Sequence, residues 1–496
     1  MVKNWLIKFK KEKLWGKAQM LGPILIIILA VVATAYLSFQ YFLIANFPIG
    51  RDVITHIMVA QQIQQHSLLY AFKSSIYPLA YFAFIFWHKI LILFGLSWQS
   101  TFIFFECANL FLVSILTGVL SYRISKDWRV AAVTMVLVAS SRWLNDSLRI
   151  GLAAESFGWI FFMAALIMLF EKKWLWFLLA AVILFFSHPL PFGVLMVIFF
   201  GFVIFWIFTI SGKTRWKLLA VPICLLILLL LGRVFLPSEF HRIFMIVKFN
   251  FPIEGERSVF NYIVDSDKRR LLFYFFSFLG FATLALGLIK KKWEKIKAEK
   301  IWLLLIFSFL AFLICFKHYF GIHYLGYRYY TYFEIAASIL AAFGAVKISQ
   351  IVWPKLSFLI YIPLTLLLVC PNWSATKAIT IWQLNTPSLQ DSTPIGDQKS
   401  LPEIAKILKP KTRIYSHSSW HTWLKIDGFS TLGDWGAPNY AKLYGGTDLD
   451  RLRQYLVDRN YSYIYFSSAD PVSPAENANF LTKIYDQNNV RVYQVK

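Results

Sequence analysis

From Leu21 to Val369 the chain is a succession of apolar runs separated by short, mostly basic loops, and that alternation leaves few folds open to it. A helix needs about 20 apolar residues to cross the ~30 Å hydrocarbon layer, where no water can pair an exposed backbone. The first run, Leu21–Ile44, meets that length. Others fall at about Tyr77–Leu96, Phe102–Leu120, Val130–Ser140, Phe157–Phe170, Leu175–Phe186, Phe192–Ile210, Leu218–Leu231, Leu271–Ile289, Ile301–Phe316, Tyr332–Val346 and Leu356–Val369. With 58% of 496 residues hydrophobic and 15% charged, the chain carries more apolar surface than a soluble domain keeps in water. The expectation is a polytopic α-helical membrane protein.

Charge placement orients it. Lys3, Lys8, Lys10, Lys11, Lys13 and Lys17 precede the first run, which puts the N-terminus in the cytoplasm of a plasma or inner membrane. Ala33-Thr34-Ala35 imitates a signal-peptidase site, but the apolar run continues for roughly nine residues beyond it, so an uncleaved anchor is expected. If every run crossed, Arg123, Lys126 and Arg129 would lie outside. Reading Tyr77–Leu96 as interfacial or re-entrant removes the conflict, because His88 and Lys89 sit in its middle, where a charge costs about 2.5–3.5 kcal/mol. About eleven transmembrane helices result, with Arg123/Lys126/Arg129, Lys172/Lys173, Lys213/Arg215/Lys217, Lys290–Lys300 and Lys347/Lys355 all cytoplasmic. Lys268-Arg269-Arg270 departs from the rule, at the end of a long outer loop. Topology thus explains most of the net charge of +24, and no nucleic-acid partner is implied. Cys107, Cys224, Cys315 and Cys370 lie in apolar runs and suggest neither disulfides nor a metal site.

After Cys370 the composition turns polar. Residues 1–371 read as the membrane domain, with a first outer loop at 45–100, and 372–496 as a soluble extracytoplasmic α/β domain. Its expected elements are helices at Leu401–Leu408, Leu449–Val457 and Ala475–Tyr485, and strands at Thr412–Ser416, Tyr461–Phe466 and Val490–Val495.

The polar residues that could carry chemistry gather on the outer side. Asp52 and His56, four apart, share one face if their segment is helical. Asp146 and Arg149 lie between the third and fourth spans, Glu155 opens the fourth, His188 precedes Pro189 in the next outer turn, and Lys317, His318, His323 and Arg328 fill the loop before a late span. Each has a plainer reading: Asp52 as a helix cap, His56 as a structural histidine, Glu155 as the counter-charge of Arg149, His188 as part of a tight turn, the loop around Arg328 as an interfacial aromatic belt. Glu106, within a span, could reach water at the outer surface. Trp420, Trp423, Trp435 and Tyr440 suit either a core or aromatic faces for a saccharide.

The basic start, the single span, the first-loop acid, the Tyr77–Ser97 interfacial segment, Gly151-Leu152-Ala153-Ala154-Glu155 opening a span, Tyr327-Arg328-Tyr329-Tyr330 preceding another, and the ending Tyr485–Val495 together resemble the GT-C superfamily of integral-membrane glycosyltransferases. The likeness is to the architecture of the dolichyl-phosphate-mannose and aminoarabinose transferases. It implies a cell-envelope enzyme that moves a sugar from a polyprenyl-phosphate donor to a protein, lipid or glycan acceptor on the outer face. Asp52 would be the first-loop acid and general base, with His56 orienting it or acting in its place, since an imidazole titrates near neutral pH; Glu155 or Asp146 would be the second-loop acid; Arg328 and Lys317 the phosphate cations. The family's paired acids are absent, since Arg51 precedes Asp52, so a divalent metal is possible without being supported by a motif. A transporter or flippase of a lipid-linked saccharide or anionic solute, and a non-enzymatic envelope-assembly protein, are the alternatives.

Overall fold

The computed structural model describes residues 24–44, 52–66, 70–72, 75, 77–150, 153–209, 270–290, 294–315, 326–352, 362–370, 395–409, 412–416, 430–432, 449–468, 470 and 472–496. The membrane part is built from helices α1 (Ile24–Ser38), α2 (Gln40–Ile44), α3 (Asp52–Gln65), α4 (Pro78–Leu91), α5 (Trp98–Ser125), α6 (Trp128–Ala139), α7 (Arg142–Ile150), α8 (Ala153–Phe170), α9 (Trp174–Ser187), α10 (Pro189–Thr209), α11 (Arg270–Ile289), α12 (Lys295–Cys315), α13 (Gly326–Val352) and α14 (362–370). Six of these are long and apolar enough to cross a membrane: α5, α8, α10, α11, α12 and α13. α1, α4, α6 and α9 are shorter apolar helices. The chain is an integral membrane protein. The expected run Leu218–Leu231 and the cluster Lys213/Arg215/Lys217 lie outside the described residues, as do Cys224, Trp420, Trp423, Trp435 and Tyr440.

Local chemistry sets several boundaries. Ser97 Oγ accepts from the Ser100 N–H at 3.2 Å to start α5, and Gly95, at φ +78°, supplies the left-handed turn just before it. Asp127 caps α6 through the Arg129 N–H at 2.9 Å and pairs with the same residue's guanidinium at 2.8 Å. In α4, Tyr81, Phe84 and Ile85 bury with α3 and α5, while Phe86, Ile92, Leu93 and Phe94 stay exposed. His88 is buried in that helix, bonded to Thr101 Oγ1 at 3.1 Å and stacked on Trp98. An interfacial reading of Tyr77–Leu96 fits this geometry.

The bundle core lies between α5, α8, α9, α10, α12 and α13, around Trp159, Phe162, Phe199, Phe202, Trp206 and Tyr332. One end is tied by ion pairs from the basic clusters: Lys300 Nζ to Glu171 Oε1 and Lys172 Nζ to Glu299 Oε1, each 2.6 Å, with the Trp206 indole N–H donating to Glu299 Oε1 at 2.7 Å. The loops expected to share a side therefore meet at one end of the bundle. α11 and α13 approach so closely that a Cβ on Gly280 would collide with the Leu340 carbonyl, and one on Gly344 with the Phe276 carbonyl. Small residues at such a seam let two backbones pack directly. Gly344→Val is expected to remove most correctly assembled protein, a change read as the monodisperse fraction in detergent chromatography, whereas Gly193→Ala, where the added carbon meets nothing within 4 Å, should leave it unchanged.

Residues 395–496 form a five-stranded sheet in the order β2-β1-β3-β5-β4, flanked by α15 (Ile395–Ile407) and α16 (Leu449–Asp458). β1 (Arg413–Ser416) runs parallel to β2 (Ser430–Leu432) and β3 (Tyr463–Phe466); β5 (Val490–Val495) is antiparallel to β3 and β4 (Leu481–Gln487). Two expectations fail here. β2 was not foreseen, and Ala475–Tyr485 is not a helix: Ser473 and Glu476 close a capping box on a single 3-10 turn, Pro474–Asn477, after which the chain enters β4. Asn488 and Asn489, at φ 52° and 63°, form the two-residue turn that pairs Gln487 with Val490 and makes β4 and β5 a hairpin. Asp397 pins α15 to the sheet, accepting from Tyr465 Oη, Ser467 Oγ (2.9 Å), and the Ser468 N–H (3.0 Å) and Oγ. Leu401, Ile404, Tyr465 and Val490 join the same apolar cluster as Val53, Ile57 and Phe84, so this unit packs on the α3–α4 end of the bundle, opposite the lysine-rich end.

Candidate active site

At that end two helix N-termini bring opposite charges together. Glu155 lies in the first turn of α8 and Arg328 in the first turn of α13; Arg328 Nη1 stands 3.5 Å from Glu155 Oε2. The carboxylate is 1% exposed and the guanidinium side chain 15%. An ion pair so withdrawn from water is stronger and less screened than a surface one. Trp159 and Tyr332, one helical turn deeper on the same two helices, complete the surroundings of Glu155, and both are buried. Glu155 thus has Arg328 as a partner; the side chain of Arg149, its expected counter-charge, lies outside the described residues.

The imidazoles form an adjoining wall. His56, on α3, is bonded through Nδ1 to Tyr81 Oη on α4 at 2.8 Å, and its ring lies over Phe102. His188 ends α9 in extended backbone, and Pro189 then starts α10, so the expected turn is real. Its ring also stacks flat on Tyr77, with centroids 4.7 Å apart and planes 2° from parallel, while Nδ1 accepts from the Leu190 N–H at 3.2 Å. Burial, and second the charge of Arg328, push His56 down to about 4; His188 is held well below the usual histidine range by burial, then by Arg328 and His56. Both imidazoles are thus neutral at physiological pH.

That shift has a testable sign. Unfolded His56 takes up a proton near pH 6.5 and folded His56 near 4, so stability is full above 6.5 and falls as pH drops from 6.5 towards 4, by about 3 kcal/mol at most. Melting temperature in detergent should fall over that window, and His56→Gln should flatten the slope.

The remaining predicted residues divide. Asp52 begins α3, four residues before His56 on that helix, but its side chain lies outside the described residues. Asp146 and Arg149 belong to α7, again with side chains outside them. Lys317, His318 and His323 lie outside altogether. α7 is nonetheless fastened to α13: Ser141 Oγ donates to the buried Glu334 Oε2, and Trp143 stacks on Tyr330 with centroids 5.1 Å apart. Glu106 does not reach water as expected; it is 1% exposed, with no hydrogen-bond partner for either oxygen among the described residues. Tyr77, Tyr81, Trp159, Tyr332 and Glu334 escaped the sequence reading, although Trp159 and Tyr332 each follow a charged candidate by four residues, a spacing that marks one helix face. Among the described residues no three His, Cys, Asp or Glu side chains converge closely enough to hold a metal ion.

This chain, a helical membrane bundle with an α/β unit packed at one end, has the GT-C fold. It is similar over 96% of its length to ArnT from Cupriavidus metallidurans in the apo state, at 13% identity, covering 98% of that chain with a TM-score of 0.57. The same protein bound to undecaprenyl phosphate matches at 12% identity and a TM-score of 0.53, over 95% of this chain and 98% of that one. The archaeal oligosaccharyltransferase AglB from Archaeoglobus fulgidus, in complex with an inhibitory peptide and a dolichol-phosphate, matches at 12% identity and a TM-score of 0.50, over 91% and 70%. Neither a protein-family model nor a curated protein sequence matches the chain.

Proposed function

We propose that this protein is a membrane glycosyltransferase that moves a sugar from a polyprenyl-phosphate donor to an acceptor hydroxyl or amide on the outer face of the membrane. The observation that carries the reading is the Arg328–Glu155 pair beside His56 and His188, at the end of the bundle away from the lysine clusters. The positive-inside rule makes that end extracytoplasmic, with the N-terminus cytoplasmic, about eleven spans in all and residues 372–496 a soluble domain over the site. Structural likeness to proteins solved with undecaprenyl phosphate and dolichol-phosphate supports a lipid-phosphate ligand.

In the proposed step Asp52 takes the proton of the acceptor hydroxyl while its oxygen attacks the anomeric carbon of the sugar. The bond from that carbon to the phosphate oxygen breaks, and the electron pair leaves with the phosphate. A single displacement inverts the anomeric centre. Arg328 meets the charge growing on the leaving oxygens with a planar pair of donors, and Glu155 holds the guanidinium in place. Glu155 is thereby a positioning residue, and Asp146, Arg149, Lys317, His318 and His323 remain candidates for holding donor or acceptor. No step is routed through a metal.

The test is transfer of labelled sugar from polyprenyl-phosphate donors to envelope acceptors by the full chain in liposomes, scored beside movement of the intact donor across the bilayer. Labelled product with inverted linkage is expected; lipid movement without product would instead indicate a flippase.

A further inference from the structure

We propose that His56 and His188 serve as neutral Nε2–H donors to phosphate oxygens, and that neither is a proton acceptor in the reaction. This rests on the glycosyltransferase reading above and assigns the part of the site that would grip the lipid phosphate. It departs from the expectation that His56 could take the proton in place of Asp52.

The argument is one of proton placement. A neutral imidazole carries a single ring proton, and the nitrogen without it can only accept. For His188 the geometry is unambiguous: the Leu190 backbone N–H points at Nδ1 at 3.2 Å, and a backbone nitrogen can only donate. The ring proton of His188 is therefore on Nε2. For His56 the partner is a hydroxyl, which could act either way. Tyr81 Oη is buried, and among the described residues His56 Nδ1, at 2.8 Å, is the acceptor for its hydrogen. Were Nδ1–H the donor, the phenol hydrogen would be left without a partner in a buried place, at the full cost of desolvation. Tyr81 therefore donates, and the ring proton of His56 is again on Nε2.

Both rings are locked as well as typed. His188 lies flat on Tyr77, and His56 is held by Tyr81 and Phe102, so neither can exchange its nitrogens without breaking a contact. Neither Nε2 is taken by a described residue. The two rings share Tyr77 as a neighbour, with centroids 6.5 Å from it for His56 and 4.7 Å for His188, and both feel the charge of Arg328, so the three groups lie near one another. A guanidinium with two N–H donors is a donor-only array. Its fitting ligand is rich in acceptors and poor in hydrogens, as phosphate is, whereas a sugar ring brings hydroxyl hydrogens that need acceptors. Keeping both imidazoles neutral gives the phosphate oriented donors without two further buried charges beside Arg328.

Glutamine tests this, because its amide nitrogen reaches the position of Nε2 and donates but cannot act as a base. The full chain in nanodiscs is titrated with a short-chain polyprenyl phosphate, the matching polyprenol and inorganic phosphate, following tryptophan fluorescence. His56→Gln and His188→Gln are expected to bind the polyprenyl phosphate within about threefold of wild type and to keep transfer; the Ala variants should bind about 10- to 100-fold more weakly, as for loss of a hydrogen bond to a charged group. Gln variants as weak as Ala, or with normal binding but no transfer, overturn the donor role alone. A wild type that binds polyprenyl phosphate no better than polyprenol overturns the lipid-phosphate reading with it, while tight inorganic phosphate binding with the same variant pattern keeps the donors and names free phosphate as the ligand. If a Gln variant does not fold, the ¹⁵N spectrum of histidine-labelled wild type decides: phosphate should shift proton-bearing Nε2 resonances, and a shift of unprotonated Nε2 resonances refutes the assignment.

Discussion

Asp52→Asn is expected to lower sugar transfer by about 10²–10⁴-fold, the usual contribution of a positioned general base, with melting temperature and polyprenyl-phosphate binding near those of wild type. Asparagine is the informative replacement because Asp52 begins α3 and could act only as its cap. Asparagine caps a helix as well as aspartate does, so the exchange removes the proton acceptor and spares the cap. A variant as active as wild type would take Asp52 out of the chemistry. A variant that loses activity and melts early would show that the charge of Asp52 supports the fold, and its lost transfer would then not identify a base. Asp52→Ala, which removes both, should be no slower in transfer than Asp52→Asn but less stable by about 1 kcal/mol.

Arg328→Gln should reduce transfer by about 10²–10³-fold, the cost seen when one donor to a developing oxyanion is lost. Lysine should restore only part of the rate, because a point charge cannot reproduce the paired N–H geometry. The ion pair makes a second, separable forecast for stability. Glu155 is its nearly inaccessible half, so Glu155→Leu takes away the carboxylate 3.5 Å from a largely buried guanidinium and should cost up to about 3–5 kcal/mol. The double variant Arg328→Met/Glu155→Leu should regain most of that stability and none of the activity. Recovery in the melting curve without recovery of transfer would separate the role of the pair in folding from that of Arg328 in the reaction. A double variant as unstable as Glu155→Leu would show that the two residues are not coupled as their 3.5 Å separation implies.

Much of the bundle was readable because the bilayer is an exacting solvent. Backbone groups there must be paired within a helix, so a long apolar run has essentially one structure, and basic loops report their side through charge alone. The meeting of Lys172, Lys300, Glu171 and Glu299 at one end follows from that rule without knowledge of any contact. The same reasoning expects the Tyr77–Leu96 segment to be interfacial, since His88 and Lys89 would make a spanning helix costly. The C-terminal residues were harder. A water-facing segment such as Ala475–Tyr485 satisfies its backbone as helix or strand, and the choice fell to β5, whose hairpin through Asn488-Asn489 recruits Leu481–Gln487.

The candidate site shows the same division. That acids, imidazoles and cations lie at one depth is set by their order along a chain that crosses the membrane repeatedly, and Asp52, His56, Glu155, His188 and Arg328 could all be named from that order. Which of them pair could not be, because the contacts join segments as much as 173 residues apart, from Glu155 to Arg328, and pairing over such separations depends on how helices pack side by side. Sequence suggested Arg149 for Glu155, and the fold adds Arg328, whose guanidinium comes within 3.5 Å of it. Likewise Tyr81, 25 residues along the chain, sets the proton position on His56, whereas on His188 it is set within the turn itself, by the Leu190 N–H two residues on. The sequence by itself determined which runs are apolar enough for lipid and which loops are basic, because partitioning acts residue by residue; only the tertiary structure decided which charge faces which and that Glu106 is withdrawn from water, because those depend on how helices pack.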